Sequence, residues 1–274
     1  MLLIVKIINV LFQLLFFPLR VFPEVWSLTI ISVVTGIIML IIFRYTSNQK
    51  VIRETKNKIK AHIFELVFYK DNFKIIAKAI GKIMRYNALY LKQTIIPLLF
   101  VFIPVILILI QLNFRYQYRA FRAGEQTLVK VKLHVDKSGE MSKIKFLPSS
   151  YYKVETPPLR IFEQPELDWR IRILKQGTFN LLFENEGDTI TKKINPSGRL
   201  AMLAPKRTGA SFWQYLFAPA EEPITEQKII KSIEIQYPNR ALKVWGMKVH
   251  WLIVFFIVSL IAAFGLKGVF RVEI

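Results

Sequence analysis

Residues 44–114 read RYTSNQKVIRETKNKIKAHIFELVFYKDNFKIIAKAIGKIMRYNALYLKQTIIPLLFVFIPVILILIQLNF. Arg44 closes an apolar run. A strongly basic stretch with helical periodicity follows and breaks at Asp71-Asn72. After Asn87-Ala88-Leu89 the chain becomes apolar again, with Pro97 and Pro104 inside the second run. A basic helical hairpin between two apolar spans is uncommon in transporters and receptors. It points toward the biogenesis of membrane proteins.

Within the hairpin, Ile52, Ile59, Ile63, Leu66 and Val67 form one apolar stripe, and Phe73, Ile76, Ala77, Ile80, Ile83 and Met84 form another. Two antiparallel helices of about 18 residues would pack through these stripes, with Asp71-Asn72 capping the second. Lys56, Lys60, Lys70, Lys74, Lys78, Lys82 and Arg85 occupy other faces. They serve as a solvated, topology-setting face, or they meet phosphates of ribosomal RNA or of anionic lipid. Few aromatics sit among the lysines, which argues against base stacking.

Outward from the hairpin, the pattern is that of a multi-pass membrane protein. The 274 residues are 53% hydrophobic, yet carry 39 Lys and Arg against 19 Asp and Glu, a net +20. Mean hydropathy is +0.35, too apolar for an ordinary soluble domain. No cysteine is present, which excludes disulfides and cysteine-based metal sites. A bilayer core needs about 20 helical residues. Three segments qualify: 25–43, 95–112 and 249–266, the last with Trp245 and Trp251 as an interfacial pair. The basic loop 44–92 is cytoplasmic by the positive-inside rule. The N-terminus and residues 115–247 then lie outside, and the tail 267–274 lies inside a cell (inner) membrane.

Residues 1–22 place Lys6, Asn9, Gln13 and Arg20 on one helical face, with Pro18 ending the helix. An amphipathic helix lying in the outer interface is expected. A cleaved signal and an additional span are the alternatives.

Residues 115–247 change character. Thr127–Val135 and Asp168–Ile173 alternate with period two. Gly177 and Gly187 mark turns into Thr178–Phe183 and Thr189–Ile194, and Ser232–Tyr237 is a late strand. Pro148, Pro157, Pro158, Pro165, Pro196 and Pro205 fall between strands. This is the pattern of an extracytoplasmic all-β, sandwich-like domain. The segment Thr208–Pro223, with Phe212, Trp213, Tyr215 and Phe217, rests on the membrane surface or packs in the core.

Catalysis finds no support. His62, His134 and His250 fall in different regions and cannot converge on one metal under this topology. No phosphate-binding glycine loop, nucleophile elbow or metalloprotease helix is present. Asp136, Glu140, Glu166, Asp168, Glu184, Glu186, Asp188, Glu221 and Glu222 read as turn and surface residues. No cofactor, metal or DNA is expected.

In the first span, Thr29, Ser32, Thr35 and Gly36 recur at three- and four-residue spacing, and Gln93 and Thr94 begin the second. Small and polar residues at such spacing serve close helix packing, or else line a mildly hydrophilic groove open to the cytoplasm. No charge lies at mid-membrane, which argues against ion transport. Pro97 and Pro104, seven residues apart, share a face and weaken the helix ladder there.

The order of elements over residues 1–120 resembles the YidC-type membrane protein insertases, including their short three-span archaeal relatives. Asn87-Ala88-Leu89 and Pro97-Leu98-Leu99…Pro104 stand where that family has Asn-Pro-Leu and Pro-Leu-Leu…Pro, and Trp26-Ser27 and Ser32 resemble the start of its first core span. The groove arginine of bacterial members is replaced here by the uncharged Thr35-Gly36. The β-domain falls between the second and third spans, whereas in Gram-negative members it precedes the core. The resemblance implies a membrane insertase or insertase-like chaperone, with Thr29, Ser32, Thr35, Gly36, Gln93, Thr94, Pro97 and Pro104 at a client groove. Its partners would be nascent or client membrane proteins, the ribosome, and a partner membrane subunit or second copy completing the groove. The alternative is a structural or accessory subunit of an envelope complex that binds through its β-domain.

Overall fold

The computed structural model describes residues 2–198, 200–209, 211, 220–225, 229–244 and 246–273. The expected aromatic loop residues Phe212, Trp213, Tyr215 and Phe217, and the expected interfacial Trp245, lie outside the described residues. The chain divides into two compact units. One comprises Met1–Glu24 with Ile110–His250, and the other Val25–Leu109 with Trp251–Ile274.

The second unit is helical. It is built from α2 (Glu24–Thr46), α3 (Gln49–Phe68), α4 (Phe73–Tyr116, whose last residues belong to the other unit) and α5 (Trp251–Leu266). The α2 and α4 helices are long and apolar enough to cross a bilayer. The third expected span, α5, carries no charge but has 16 residues, short of the roughly 20 a bilayer core requires.

The second half of the expected hairpin and the second expected span are one uninterrupted helix of 44 residues. Pro97 and Pro104 sit inside it. Each withholds an N–H from the carbonyl four residues earlier, at Gln93 and Phe100, yet the helix continues through both. Asn48 Oδ1 caps α3 by accepting from Val51 N at 3.2 Å, and Asn72 Oδ1 caps α4 by accepting from Ile75 N at 3.3 Å. Leu40, Phe43, Ile52, Val101, Val105, Ala263 and Val272 share one buried cluster that ties the four helices and the tail together.

The first unit is a two-layer antiparallel β domain carrying a helix. Strands β1 (Gln126–Leu133), β3 (Tyr152–Val154), β4 (Leu159–Ile161), β5 (Glu166–Ile173), β8 (Lys206–Thr208) and β9 (Ile230–Ile235) form one sheet in the order β3-β5-β1-β9-β8, with β4 also on β5. The second sheet is β2 (Lys145–Phe146), β6 (Phe179–Asn185) and β7 (Asp188–Ile194). A short hairpin, β10 (Leu242–Val244) with β11 (Met247–Val249), precedes α5. Alternation in the sequence becomes alternation in burial: in β1, Val129, Val131 and Leu133 point inward and meet Trp169, Ile171, Leu181 and Phe183 in one core. The β6–β7 turn places Glu186 at φ 47° and Gly187 at φ 90°, the left-handed pair that a two-residue hairpin needs.

Helix α1 (Leu2–Phe16) and the 3-10 turn Pro18–Val21 belong to this unit. Asn9 on α1 is buried and accepts from Gln111 Nε2 at 2.8 Å. Ile7, Val10, Leu11 and Leu14 of α1 are exposed, as is Phe17 just past its end. A buried polar Asn9 beside a broad exposed apolar face is unlike a water-facing helix, whose outer face is polar.

Candidate functional site

The polar residues of α2 are consumed by helix packing. Ser32 and Thr35 are buried, and their hydroxyls donate to the carbonyl oxygens of Leu28 (2.7 Å) and Ile31 (2.8 Å) one turn earlier. Thr29, half-buried, donates to Val25 O at 2.9 Å. A Cβ on Gly36 would lie 2.6 Å from Ser259 O on α5 and 3.1 Å from Ala262 Cβ. The glycine therefore lets the two backbones approach, and Ser259 and Ala263 bury the matching face of α5. On α4, Gln93, Thr94 and Pro104 are half-buried and Pro97 is buried, with Thr94 Oγ1 bonded to Tyr90 O at 2.8 Å.

Between α3 and α4 the contacts are fewer than the two sequence stripes imply, with Lys58 and His62 on α3 set against the Tyr86 ring on α4. Ile52 and Ala79 are fully buried, and the His62 ring stacks on Tyr86 with centroids 5.6 Å apart. His62 Nδ1 contacts Glu65 at 2.9 Å. Around the connecting turn, expected stripe members face outward: Ile63, Val67, Phe73, Ile80 and Met84 are exposed, together with Phe64, Phe68 and Tyr69. Phe68 is 75% and Phe73 82% exposed, values seldom seen for phenylalanine without a partner. Lys60, Lys70, Lys74, Lys78 and Arg85 are exposed around them. Lys82 is half-buried, and Lys56 is half-buried at 3.5 Å from Glu273 in the tail. The distal end is thus an apolar patch set among cations.

Several acids that read as surface residues are structural. Glu166 is buried on β5, where its carboxylate takes Lys130 at 2.9 Å and Lys132 at 3.4 Å, while Asp168 takes Lys130 at 3.1 Å. The register explains this: Lys130 pairs across from Asp168 and Lys132 from Glu166. Burial pushes the Asp168 carboxyl up. The pocket beside them, about 550 Å³, is lined by Lys130, Lys132, Lys206, Glu166 and Glu234 and is close to charge balance.

Glu221 is likewise engaged. It accepts from Lys192 Nζ, which is fully buried and also donates to Ala204 O at 2.7 Å. Burial lowers the Lys192 pKa, and the Glu221 carboxylate opposes that. Arg115, at the end of α4, was not singled out by any sequence pattern and is 1% exposed. A cation flanked by Phe114 and Tyr116 just past an apolar run is the signal that marks it. No family model, curated protein or solved structure matches this chain.

Proposed function

We propose that this chain is a membrane-embedded insertase or insertase-like chaperone, holding apolar segments of client membrane proteins as they move into the bilayer. The observation that carries this reading is the patch Phe64, Val67, Phe68, Phe73 and Met84, exposed at the end of a basic hairpin. In this topology α2 and α4 cross the membrane, the hairpin is cytoplasmic, and the N-terminus lies outside. An emerging client span would shed water against that patch, and the surrounding lysines would attract the ribosome or anionic head groups. Burial of the client in lipid supplies the driving force, so no nucleotide enters the scheme. The outward apolar face of α1 suits a helix lying in the outer interface. The order of elements over residues 1–120, which resembles that of the YidC-type insertases, supports the reading.

A second reading has an observation of its own. Ser32, Thr35 and Gly36 are occupied by packing against their own helix and α5. A groove-forming role for that face requires α5 to move aside. If α5 stays, the helices act as an anchor, and the β domain binds a partner subunit of an envelope complex.

Photo-crosslinkers at Phe68, Phe73, Ser32 and Thr35 separate the two. Stalled ribosome–nascent chain complexes presenting a membrane segment should crosslink from Phe68 and Phe73, and from Ser32 and Thr35 once α5 is displaced. Crosslinks confined to a resident membrane protein would establish the accessory role instead.

A further inference from the structure

Arginine is almost never fully buried without a partner, yet Arg115 is buried with half of its head unengaged. Its Cζ lies 4.2 Å from the centroid of the Phe16 ring, and Nη1 donates to Leu200 O at 2.8 Å. Nε and Nη2 are buried and have no hydrogen-bond partner among the described residues. Those two N–H groups form one edge of the guanidinium, a pair of parallel donors matched to two oxygens of an oxyanion.

Arg115 also lines a pocket of about 280 Å³, together with Gln13, Arg20, Lys193, Ser197 and Glu221. The Glu221 carboxylate is already taken, by Lys192 Nζ and by the backbone N–H of Lys193 at 3.1 Å. Three cations therefore line the pocket beside one carboxylate that a fourth cation neutralises. The pocket lined by Lys130, Lys132 and Lys206 has two carboxylates, Glu166 and Glu234, against its three cations, so the excess of positive charge is larger at the Arg115 site.

We propose that this pocket binds a phosphate group, with Arg115 Nε and Nη2 as a bidentate clamp and Arg20 and Lys193 as flanking charges. A phosphate, with more free oxygens and more charge than a carboxylate, suits three cations converging from different elements. The pocket is larger than a phosphate requires and leaves room for the group it is esterified to. The phosphate comes either from a phospholipid head group or from a soluble phosphate. Helix α1, which supplies Gln13, exposes Val10 and Leu14, and Phe17 follows just past its end, all side chains along which acyl chains could lie.

The test uses the full chain purified in a nonionic detergent, with inorganic phosphate and phosphatidylglycerol as probes. The variants are Arg115→Lys, which keeps the charge and loses the fork, and the double change Arg20→Gln with Lys193→Gln. Both residues of the double variant are exposed, so the fold is spared. The thermal midpoint is followed against phosphate, with chloride at matched ionic strength, and native mass spectrometry counts retained phosphatidylglycerol. Binding should be about tenfold weaker in the double variant, the scale of losing charge-assisted contacts. A phosphatidylglycerol adduct lost in the variants identifies a lipid head-group site. A phosphate-specific rise in midpoint lost in the variants identifies a soluble phosphate. A wild-type chain that binds neither, or a double variant that binds like wild type, overturns the proposal and leaves Arg115 a buried structural cation.

Discussion

Gly36 shows how much of the packing rests on one missing methyl group. Gly36→Ala places a Cβ 2.6 Å from a backbone oxygen of α5, so the helices must separate, at a cost of about 1–3 kcal/mol. Gly81 on α4 has no atoms within 4 Å of a built Cβ, so Gly81→Ala should be neutral or stabilise by up to about 1 kcal/mol through helix propensity. Thermal melts of the two variants in detergent check the contrast. At Lys192, Glu221→Gln leaves a buried ammonium without its counter-charge, and chemical denaturation should show a loss of about 3–5 kcal/mol. Adding Lys192→Met should recover most of it. Arg119 donates to both oxygens of Glu125, at 2.7 and 3.0 Å, and holds that carboxyl below its ordinary 4.5. A lowered folded-state pKa gives stability that is complete above pH 4.5 and fades as the pH falls through the lowered value. The pair is largely solvated, so Glu125→Gln should cost at most about 1 kcal/mol near neutral pH and still less in acid. At this scale the sequence is legible where a pattern is local. The spacing of Ser32, Thr35 and Gly36 announces a small, polar helix face, but which helix covers it depends on α5, more than two hundred residues later. The engagement of Glu166 and Glu221 depends on cross-strand neighbours, and an acid beside a turn looks the same either way.

Among the elements, strands were legible and the long helix was not. Thr127–Val135 and Asp168–Ile173 alternate, and the strands observed there are Gln126–Leu133 and Glu166–Ile173. The two- and three-residue strands β2, β3, β4, β8, β10 and β11 carry too few residues to show a period. Asn87, Lys92, Gln93 and Pro97 together read as a boundary between hairpin and span, yet α4 runs through them. A proline's missing hydrogen bond costs one rung of a ladder that many apolar contacts sustain. The start of α4 is set by its cap. Asn72→Ala should cost about 1 kcal/mol, confined to the first turn, and read as faster amide exchange at Ile75 with little change at Val101. If both amides accelerate together, α4 opens as one unit and the cap matters to its whole length.

For the whole molecule, composition pointed to apolar helices and period-two alternation to a β domain, because both signals extend over many residues. Two helices, α2 and α4, have the length and apolarity of spans, while the β domain holds its own core. The exposed hairpin end was hidden, because its phenylalanines lie on the same helices as the packing stripes, and only the crossing of α3 and α4 decides which residues are covered. Insertion of a client is the property that the hairpin end is proposed to serve, and it can be measured in purified form. The chain is reconstituted into liposomes, a client with one apolar segment is synthesised in their presence, and protease protection of that segment is scored against empty liposomes. Phe68→Ser with Phe73→Ser is the matched variant, since both side chains are exposed and their loss spares the fold. An insertase predicts protection well above empty liposomes, reduced severalfold in the variant. Protection equal to that of empty liposomes, or unchanged by the variant, would contradict it.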